Sequence, residues 1–248
     1  MLEHGTETRL STARPASGPG LASLLTRRAG PRLLAASAHA TTPARFRAAA
    51  TRKHGGRGSL ELFFAFDDPC SAVALTELQT RLAGRRVDIE LLPVARRGMT
   101  GDPAVAQKRA YAIVDAGRLA RNRLGRELAR ESPLAPERVA FLAEWVAGAP
   151  QGPALGAFCR DALARLWFDE AATSVATTAE LERLWGEHLG DTPTADPSAL
   201  RRNEARMSRR GPYETPAAWA AGRWYFAHDR PAQICEWLDT LGWTERSA

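Results

Sequence analysis

The stretch that most constrains the fold is residues 60–79, LELFFAFDDPCSAVALTELQ, where an apolar run ends at two acids and a proline. Asp68 suits the N-cap of a helix because its carboxylate can accept first-turn N–H groups, and Pro69 suits the first helical position. The stretch therefore predicts a strand, a tight turn and a helix, with Asp68, Cys70 and Ser71 at the helix N-terminus. Backbone donors there favour an anion or a thiolate, although an ordinary capped helix explains the same pattern.

The rest of the folded region predicts an α/β order of elements. Residues 86–94 alternate like a strand, and a right-handed crossover would make that strand parallel to the first. Helical patterns separated by Pro or Gly follow, at residues 103–124, 136–147, 153–168, 178–189 and 196–210. Two short strands, at 216–219 and 224–226, and a helix from about residue 229 complete the order. We therefore expect four parts, which are a leader (1–57), a first α/β part (58–100), an inserted helical part (101–192) and a second α/β part (193–248).

The basic charge of the chain is concentrated in its leader. The formal net charge is +6, but residues 1–57 hold ten Lys or Arg and two Glu, so the remaining residues carry −2. The folded part therefore gives no reason to expect a nucleic-acid partner. The leader is poor in acids and contains several prolines, which favours a disordered extension over an organelle transit peptide. A mis-assigned translation start is a further alternative.

The cysteines and histidines form no recognisable metal or disulfide pattern. Cys70, Cys159 and Cys235 are far apart and make no CxxC pair, and the five histidines form no cluster. We therefore expect free thiols, no structural metal and a cytoplasmic location. The longest apolar runs are about as long as a strand, which predicts no membrane-spanning segment.

Three motifs resemble one branch of the DsbA-like thioredoxin superfamily, which contains 2-hydroxychromene-2-carboxylate isomerases and kappa-class glutathione transferases. FAFDDPCSAVAL is similar to the branch pattern FDFxSPYSYLA, and Lys108, Tyr111, Asp115 and Arg118 are similar to KxxYxxxDxxR. RRGPYETPAAWAAGRWYFAHDRPAQI is similar to RGVFGVPTFFVDGExFWGQDRLxxL. The resemblance implies a thioredoxin-like fold, β-α-β then α-β-β-α, with an all-helical domain inserted after the second strand.

The resemblance also implies a set of binding residues and a cofactor. Thr215 and Pro216 would form the cis-proline turn of the fold, since only an X-Pro bond takes the cis form at modest cost. Lys108 and Tyr111 would line a cleft, with Lys108 pairing with a carboxylate. The last helix would begin near a ligand, at His228, Asp229 and Arg230, although Asp229 could serve only as a cap. Glutathione is the implied candidate cofactor, and a homodimer is an implied assembly.

One position departs from the pattern. Asp68 stands where the isomerases have serine and the redox-active relatives have their first cysteine, and Ser71 stands on the second cysteine position. An ionised aspartate can only accept hydrogen bonds and would repel a thiolate. Asp68 could be protonated beside Asp67 or act as a general base, or Cys70 could be the nucleophile, while a Cys70 that only packs is the simpler alternative.

These observations favour an isomerase-like enzyme that acts on a small aromatic or carbonyl-containing carboxylate. Asp68 would transfer the proton, the helix N-terminus and Ser71 would stabilise negative charge, and Lys108 would hold the substrate. A non-catalytic binding protein with the same cleft is the alternative, and a thiol-disulfide oxidoreductase is a third reading that the missing cysteine pair disfavours.

Overall fold

The fold is built around the strand β1 (Gly58–Phe64), which lies inside a four-stranded sheet of order β2-β1-β3-β4. The computed structural model describes residues 41–99, 101–168 and 176–244. Strand β1 is parallel to β2 (Val87–Pro93) and antiparallel to β3 (Ala217–Ala220), which pairs in turn with β4 (Arg223–Phe226). Because β1 has a neighbour on each side and is covered on both faces, its near-continuous apolar sequence is explained by burial.

The helices lie before, between and after these strands, and their bounds agree closely with the expected ones. Helix α2 crosses from β1 to β2, and helices α3 to α7 follow β2. The helices are α1 (Thr42–Lys53), α2 (Pro69–Leu82), α3 (Val105–Leu119), α4 (Ala140–Gly148), α5 (Pro153–Trp167), α6 (Thr178–Leu189), α7 (Pro197–Arg210) and α8 (Pro231–Thr240). The expected helix 103–124 is divided, since α3 continues as a π-helical turn (Ala120–Leu124), and a short 3₁₀ turn (Pro136–Arg138) precedes α4.

The inserted helices share one core with the sheet. Helix α2 packs against α3 and α5, and a buried hydrogen bond joins the insertion to the turn after β1, because the indole Nε1 of Trp167 donates to the carbonyl of Phe66 at 2.9 Å. The described residues from Thr42 onward form one compact unit, and the domain boundaries expected at residues 100 and 192 remain predictions. The described residues contain no helix long and apolar enough to cross a bilayer.

The end of the expected leader is folded, which differs from the predicted boundary at residue 57. Helix α1 buries Ala44 and Ala48, one turn apart, and Arg52 donates to the carbonyl of Leu241 and stacks on the ring of Trp243. Alanines give little hydrophobic signal in a sequence, so the docking face was not recognisable. The prediction of disorder for residues 42–53 is therefore wrong, and residues 1–40 lie outside the described part of the chain.

One charged residue interrupts the apolar pattern of β1. Glu61 is buried and receives hydrogen bonds from Arg206 and Arg210 of α7, while Arg206 also binds Glu90 on β2 with two hydrogen bonds of 2.6 and 2.7 Å. Burial alone would raise the pKa of Glu61, but the hydrogen bonds from the two guanidinium groups outweigh it and lower the pKa. This ionic cluster attaches α7 to the sheet.

Candidate functional site

The candidate site lies where the parallel strands β1 and β2 end. The carboxyl ends of neighbouring parallel strands meet at one edge of a sheet, which brings the turn after β1 close to the loop after β2. The peptide bond between Thr215 and Pro216 is cis, as predicted, and its turn lies against the same edge. A cavity of about 650 Å³ opens there between this edge and helix α3.

Asp68 is the buried carboxyl at this cavity, and three neutral donors hold it. It caps helix α2 as predicted, with Oδ1 accepting the N–H of Cys70 at 3.1 Å. Its Oδ2 accepts the hydroxyl of Ser71 at 2.7 Å and the hydroxyl of Thr215 at 2.9 Å. The carboxyl is therefore fixed in orientation by the helix it caps and by the turn of the cis-proline.

Burial governs the protonation of Asp68. Burial is the largest effect and raises the pKa of the carboxyl. The charge of Arg97 and the hydrogen bonds from the hydroxyls of Ser71 and Thr215 lower the pKa, and the charge of Asp67 raises it by the smallest amount. The sequence predicts Asp67 as the cause of a raised pKa of Asp68, but the charge of Asp67 is the smallest of these contributions. The net direction is upward, which suits a group that exchanges a proton at moderate pH.

Ser71 and Cys70 hold Asp68 in place, and both differ from the active roles predicted for them. Ser71 is fully buried, and its hydroxyl accepts the N–H of Ala65 at 3.1 Å while donating to Asp68, so it does not line the cavity. The Cys70 thiol faces the carbonyl of Ala112 at 3.7 Å. Burial and the charges of Asp68, Asp115 and Asp229 raise the pKa of Cys70 well above its usual range, which disfavours a thiolate nucleophile.

Arg97 is a central residue of the site that sequence reasoning missed. Its two terminal nitrogens donate to the two oxygens of Asp67 at 2.6 and 2.9 Å, and both side chains are buried. Its Nε lies 4.0 Å from Oε2 of Glu214. Burial alone would lower the pKa of Arg97, but the hydrogen bonds and charge of Asp67 outweigh it, so the guanidinium stays charged.

Glu214 is the second missed residue. It precedes Thr215 and lines the cavity together with Asp68. Burial raises the pKa of Glu214, the charge of Arg97 opposes this, and the charge of Asp68 adds to it. A usable signal for Arg97 was the parallel pairing of β1 and β2, since it places the loop after β2 beside Asp67 and Asp68. A usable signal for Glu214 was its position directly before Thr215 and the predicted cis-proline.

Helix α3 forms the outer wall, where Lys108 and Tyr111 line the cavity as the resemblance implied. The Lys108 side chain is 51% exposed and its ammonium binds Asp102 at 2.5 Å. Asp115 also lines the wall and binds Arg118. The four motif residues therefore lie on one face of helix α3, but Lys108 forms its ion pair with Asp102, which lies in the loop before the helix.

The start of the last helix contributes less than predicted. His228 lines the cavity beside Phe226, and its carbonyl accepts from Arg123 at 2.6 Å. Asp229 and Arg230 are exposed and do not line the cavity, and Pro216 is buried behind Thr215. Helix α8 begins at Pro231 with Arg230 at the N-cap and no capping side chain, so the interpretation of Asp229 as a cap is wrong. Within the described residues no group of three or more His, Cys, Asp or Glu side chains could hold a metal ion.

The raised pKa of Asp68 predicts a pH-dependent stability. A carboxyl with a raised folded pKa binds more protons in the native state, so its contribution is fully present below its ordinary value of 3.8 and is lost as the pH rises through the folded pKa. Because asparagine does not ionise, the Asp68→Asn variant does not lose stability in this way as the pH rises. In urea unfolding from about pH 4 to pH 7, the free energy of unfolding of the variant minus that of the wild type should rise with pH, and parallel curves would contradict the assignment.

Comparison with known proteins tests the fold. No protein-family model matches the sequence, and no curated protein matches it. Among solved structures, the chain is similar to a 2-hydroxychromene-2-carboxylate isomerase, with a TM-score of 0.56 and 16% identity, covering 74% of this chain and 96% of that one. The chain has a thioredoxin-like fold. An oxidoreductase DsbA from Xylella fastidiosa also matches, with a TM-score of 0.36 and 17% identity, covering 74% of this chain and 85% of that one.

The likeness to the isomerase confirms the predicted fold class and, at the level of the fold, the predicted resemblance. At 16% identity the likeness to the isomerase shows the thioredoxin-like fold and not the activity. The chemistry of the site therefore depends on the side chains that this chain places at the end of β1. Asp68 is the N-cap of α2, the helix that follows β1. The thiols of Cys70, Cys159 and Cys235 are all free and buried.

Proposed function

We propose that this protein is an acid–base isomerase acting on a small aromatic or carbonyl-containing carboxylate, with Asp68 as the residue that transfers the proton. The observation that carries the proposal is a buried carboxyl with a raised pKa, held by three neutral donors beside a cavity of about 650 Å³. A cavity of this size suits a small organic molecule. The three sequence motifs described above support the choice of an isomerase.

The walls of the cavity suggest how such a substrate would lie. Tyr111, Tyr213 and Phe226 offer aromatic surface to a ring. Lys108 and Arg109 lie on helix α3 and would bind a substrate carboxylate, with Lys108 shared between that group and Asp102. The third cation of the cavity, Arg97, is paired with Asp67. This arrangement leaves the carbonyl and its neighbouring C–H group to face Asp68, which as a carboxylate would accept the proton.

Glutathione is part of the proposal only as a candidate cofactor that an assay must decide. A thiolate beside the cis-proline would meet Asp68, which repels it when ionised and can donate a hydrogen bond to it only when protonated. Proton transfer at a carbonyl needs no thiol. We therefore propose that glutathione is dispensable for the reaction. The cytoplasmic location and the homodimer expected from the sequence remain proposals as well.

The full-length protein can be tested with phenylpyruvate, a small aromatic 2-oxo carboxylate whose C3 hydrogens exchange with solvent when it enolises. We expect the protein to accelerate deuterium exchange at C3, followed by proton NMR, equally with and without reduced glutathione. Conversion of 2-hydroxychromene-2-carboxylate to an isomer, followed by proton NMR without a deuterium label, tests the reaction named for the structural neighbour. Acceleration only with glutathione present would contradict the thiol-independent mechanism.

A non-catalytic binding protein is the second candidate, and one observation favours it. Both oxygens of Asp68 are already hydrogen-bonded, and the only thiol at the cavity, Cys70, has a raised pKa, so the site also fits a cavity that only holds a ligand. Binding of phenylpyruvate in calorimetry, without acceleration of its C3 exchange or of the conversion of 2-hydroxychromene-2-carboxylate, would select this alternative over an enzyme.

A further inference from the structure

Glu214 stands beside Asp68 in a way that suggests a second role in the same reaction. Both carboxyls line the cavity, and the two are linked through Thr215, which follows Glu214 in the chain and donates its hydroxyl to Asp68. The Glu214 side chain is 32% exposed, so a ligand in the cavity can reach it, whereas Asp68 is buried. The chain therefore offers two carboxyls at different depths to one ligand.

The two carboxyls differ in what surrounds them. Asp68 receives hydrogen bonds from one N–H and two hydroxyls, and hydrogen bonds to a carboxylate favour its ionised form. Glu214 has the N–H of Thr215 as its neutral donor, with Nε of Arg97 at 4.0 Å. The two short hydrogen bonds that the terminal nitrogens of Arg97 donate go to Asp67. The two hydroxyl donors suit Asp68 to the proton-accepting role, and Glu214, which has no hydroxyl donor among the described contacts, suits the proton-donating role.

We propose that Glu214 is the general acid that works with Asp68 as the base across one bound carbonyl substrate. This inference rests on the proposed function and deepens it. The C–H bond next to the carbonyl breaks and its proton passes to the Asp68 carboxylate, while its electron pair forms a C=C bond. The carbonyl π electrons move to oxygen, which takes the proton of Glu214, so the products are the enol, protonated Asp68 and ionised Glu214. Proton exchange with solvent restores both groups.

The loop after β2 is shaped to hold Glu214 in position. Gly98 has a φ of +82°, and its N–H donates to the carbonyl of Tyr213 at 2.6 Å. A Cβ at residue 98 would come within 2.9 Å of Oε1 of Glu214. The positive φ favours glycine at this position, and a Cβ would displace the flexible end of the Glu214 side chain. The same loop carries Arg97, so one short segment positions both the guanidinium group and the glycine beside Glu214.

Other charged and titratable groups lie around this pair on every neighbouring element, either at the cavity or beside a residue that lines it, and their contributions must be separated from those of the pair. They come from the turn before α2, the loop after β2, helix α3 and the segments beside β3 and β4. They are Asp67, Cys70, Arg97, Asp102, Lys108, Arg109, Tyr111, Asp115, Tyr213, His228 and Asp229. Variants of the pair alone, compared over a range of pH, separate them.

The test is the pH dependence of phenylpyruvate C3 exchange catalysed by the full-length protein. The wild type should give a bell-shaped profile, because Asp68 must be ionised and Glu214 protonated. Glu214→Gln should lower the maximum rate by roughly 10- to 100-fold, since the amide can bind the carbonyl oxygen but cannot give up a proton, and the fall in rate at high pH should disappear. Glu214→Asp keeps an acid and should keep both limbs of the profile.

Glu187→Gln provides the matched control, since Glu187 forms an exposed ion pair with Arg183 on helix α6. It should leave the rate and the profile as in the wild type. A Glu214→Gln variant that folds normally and retains the high-pH limb overturns the role of Glu214 and leaves the proposed function intact. A wild type that accelerates no exchange overturns both. These two failures are therefore distinguishable within one assay.

Discussion

Asp68→Asn is expected to slow phenylpyruvate C3 exchange by about 10²- to 10⁴-fold, the range that a positioned general base usually contributes. Asparagine has the same shape, and its carbonyl can still accept the N–H of Cys70, so the cap of helix α2 is retained. Its amide group can donate to the hydroxyl of Thr215, but it cannot take a proton from carbon. The loss should therefore appear in kcat, with KM changed little.

The control for this variant must also remove a carboxyl. Glu187→Gln does so on helix α6, outside the residues that line the cavity, and should retain the wild-type kcat. A circular dichroism spectrum and a melting curve would show whether Asp68→Asn is folded. If the folded variant keeps kcat within about twofold of the wild type, Asp68 is not the base, and the cavity is better interpreted as a binding site.

The part of this site that the sequence predicted is the part determined by neighbouring residues. Asp68 and Pro69 begin helix α2 as expected, because capping depends on the few residues around the cap. The parallel pairing of β1 and β2 also followed from the order of elements and the handedness of the crossover. Local patterns and one topological rule were thus enough to predict that Asp68 lies at the end of a central strand.

The parts that were missed depend on side chains from distant segments. Arg97 lies in a loop whose composition has no preferred structure, and its partner Asp67 is 30 positions earlier. Glu214 is placed by the contact of that loop with Tyr213, through a glycine whose positive φ is not visible in the sequence. The partners of the buried Glu61 lie on α7, more than 140 positions away. Such pairs are set by tertiary packing, which no single stretch encodes.

Arg97→Met is expected to lower the free energy of unfolding by about 3–5 kcal/mol, the usual effect of removing one partner of a buried ion pair. The side chains of Arg97 and Asp67 are only 10% and 6% exposed, and two hydrogen bonds join them. Methionine leaves the Asp67 carboxylate buried with no cation in contact. The loss should be measured by urea unfolding of the full-length protein at neutral pH, with the melting temperature as a second measure.

The chain supplies a matched control, another arginine that forms two hydrogen bonds to one carboxylate in a different environment. Arg121 binds Glu127 through two hydrogen bonds of 2.6 and 2.8 Å, but their side chains are 64% and 66% exposed. Arg121→Met should leave the free energy of unfolding unchanged, because exposed ion pairs contribute little. Adding Asp67→Asn to Arg97→Met should recover part of the loss, since it removes the unpaired charge. Equal effects of Arg97→Met and Arg121→Met would contradict the importance of burial at the end of β1.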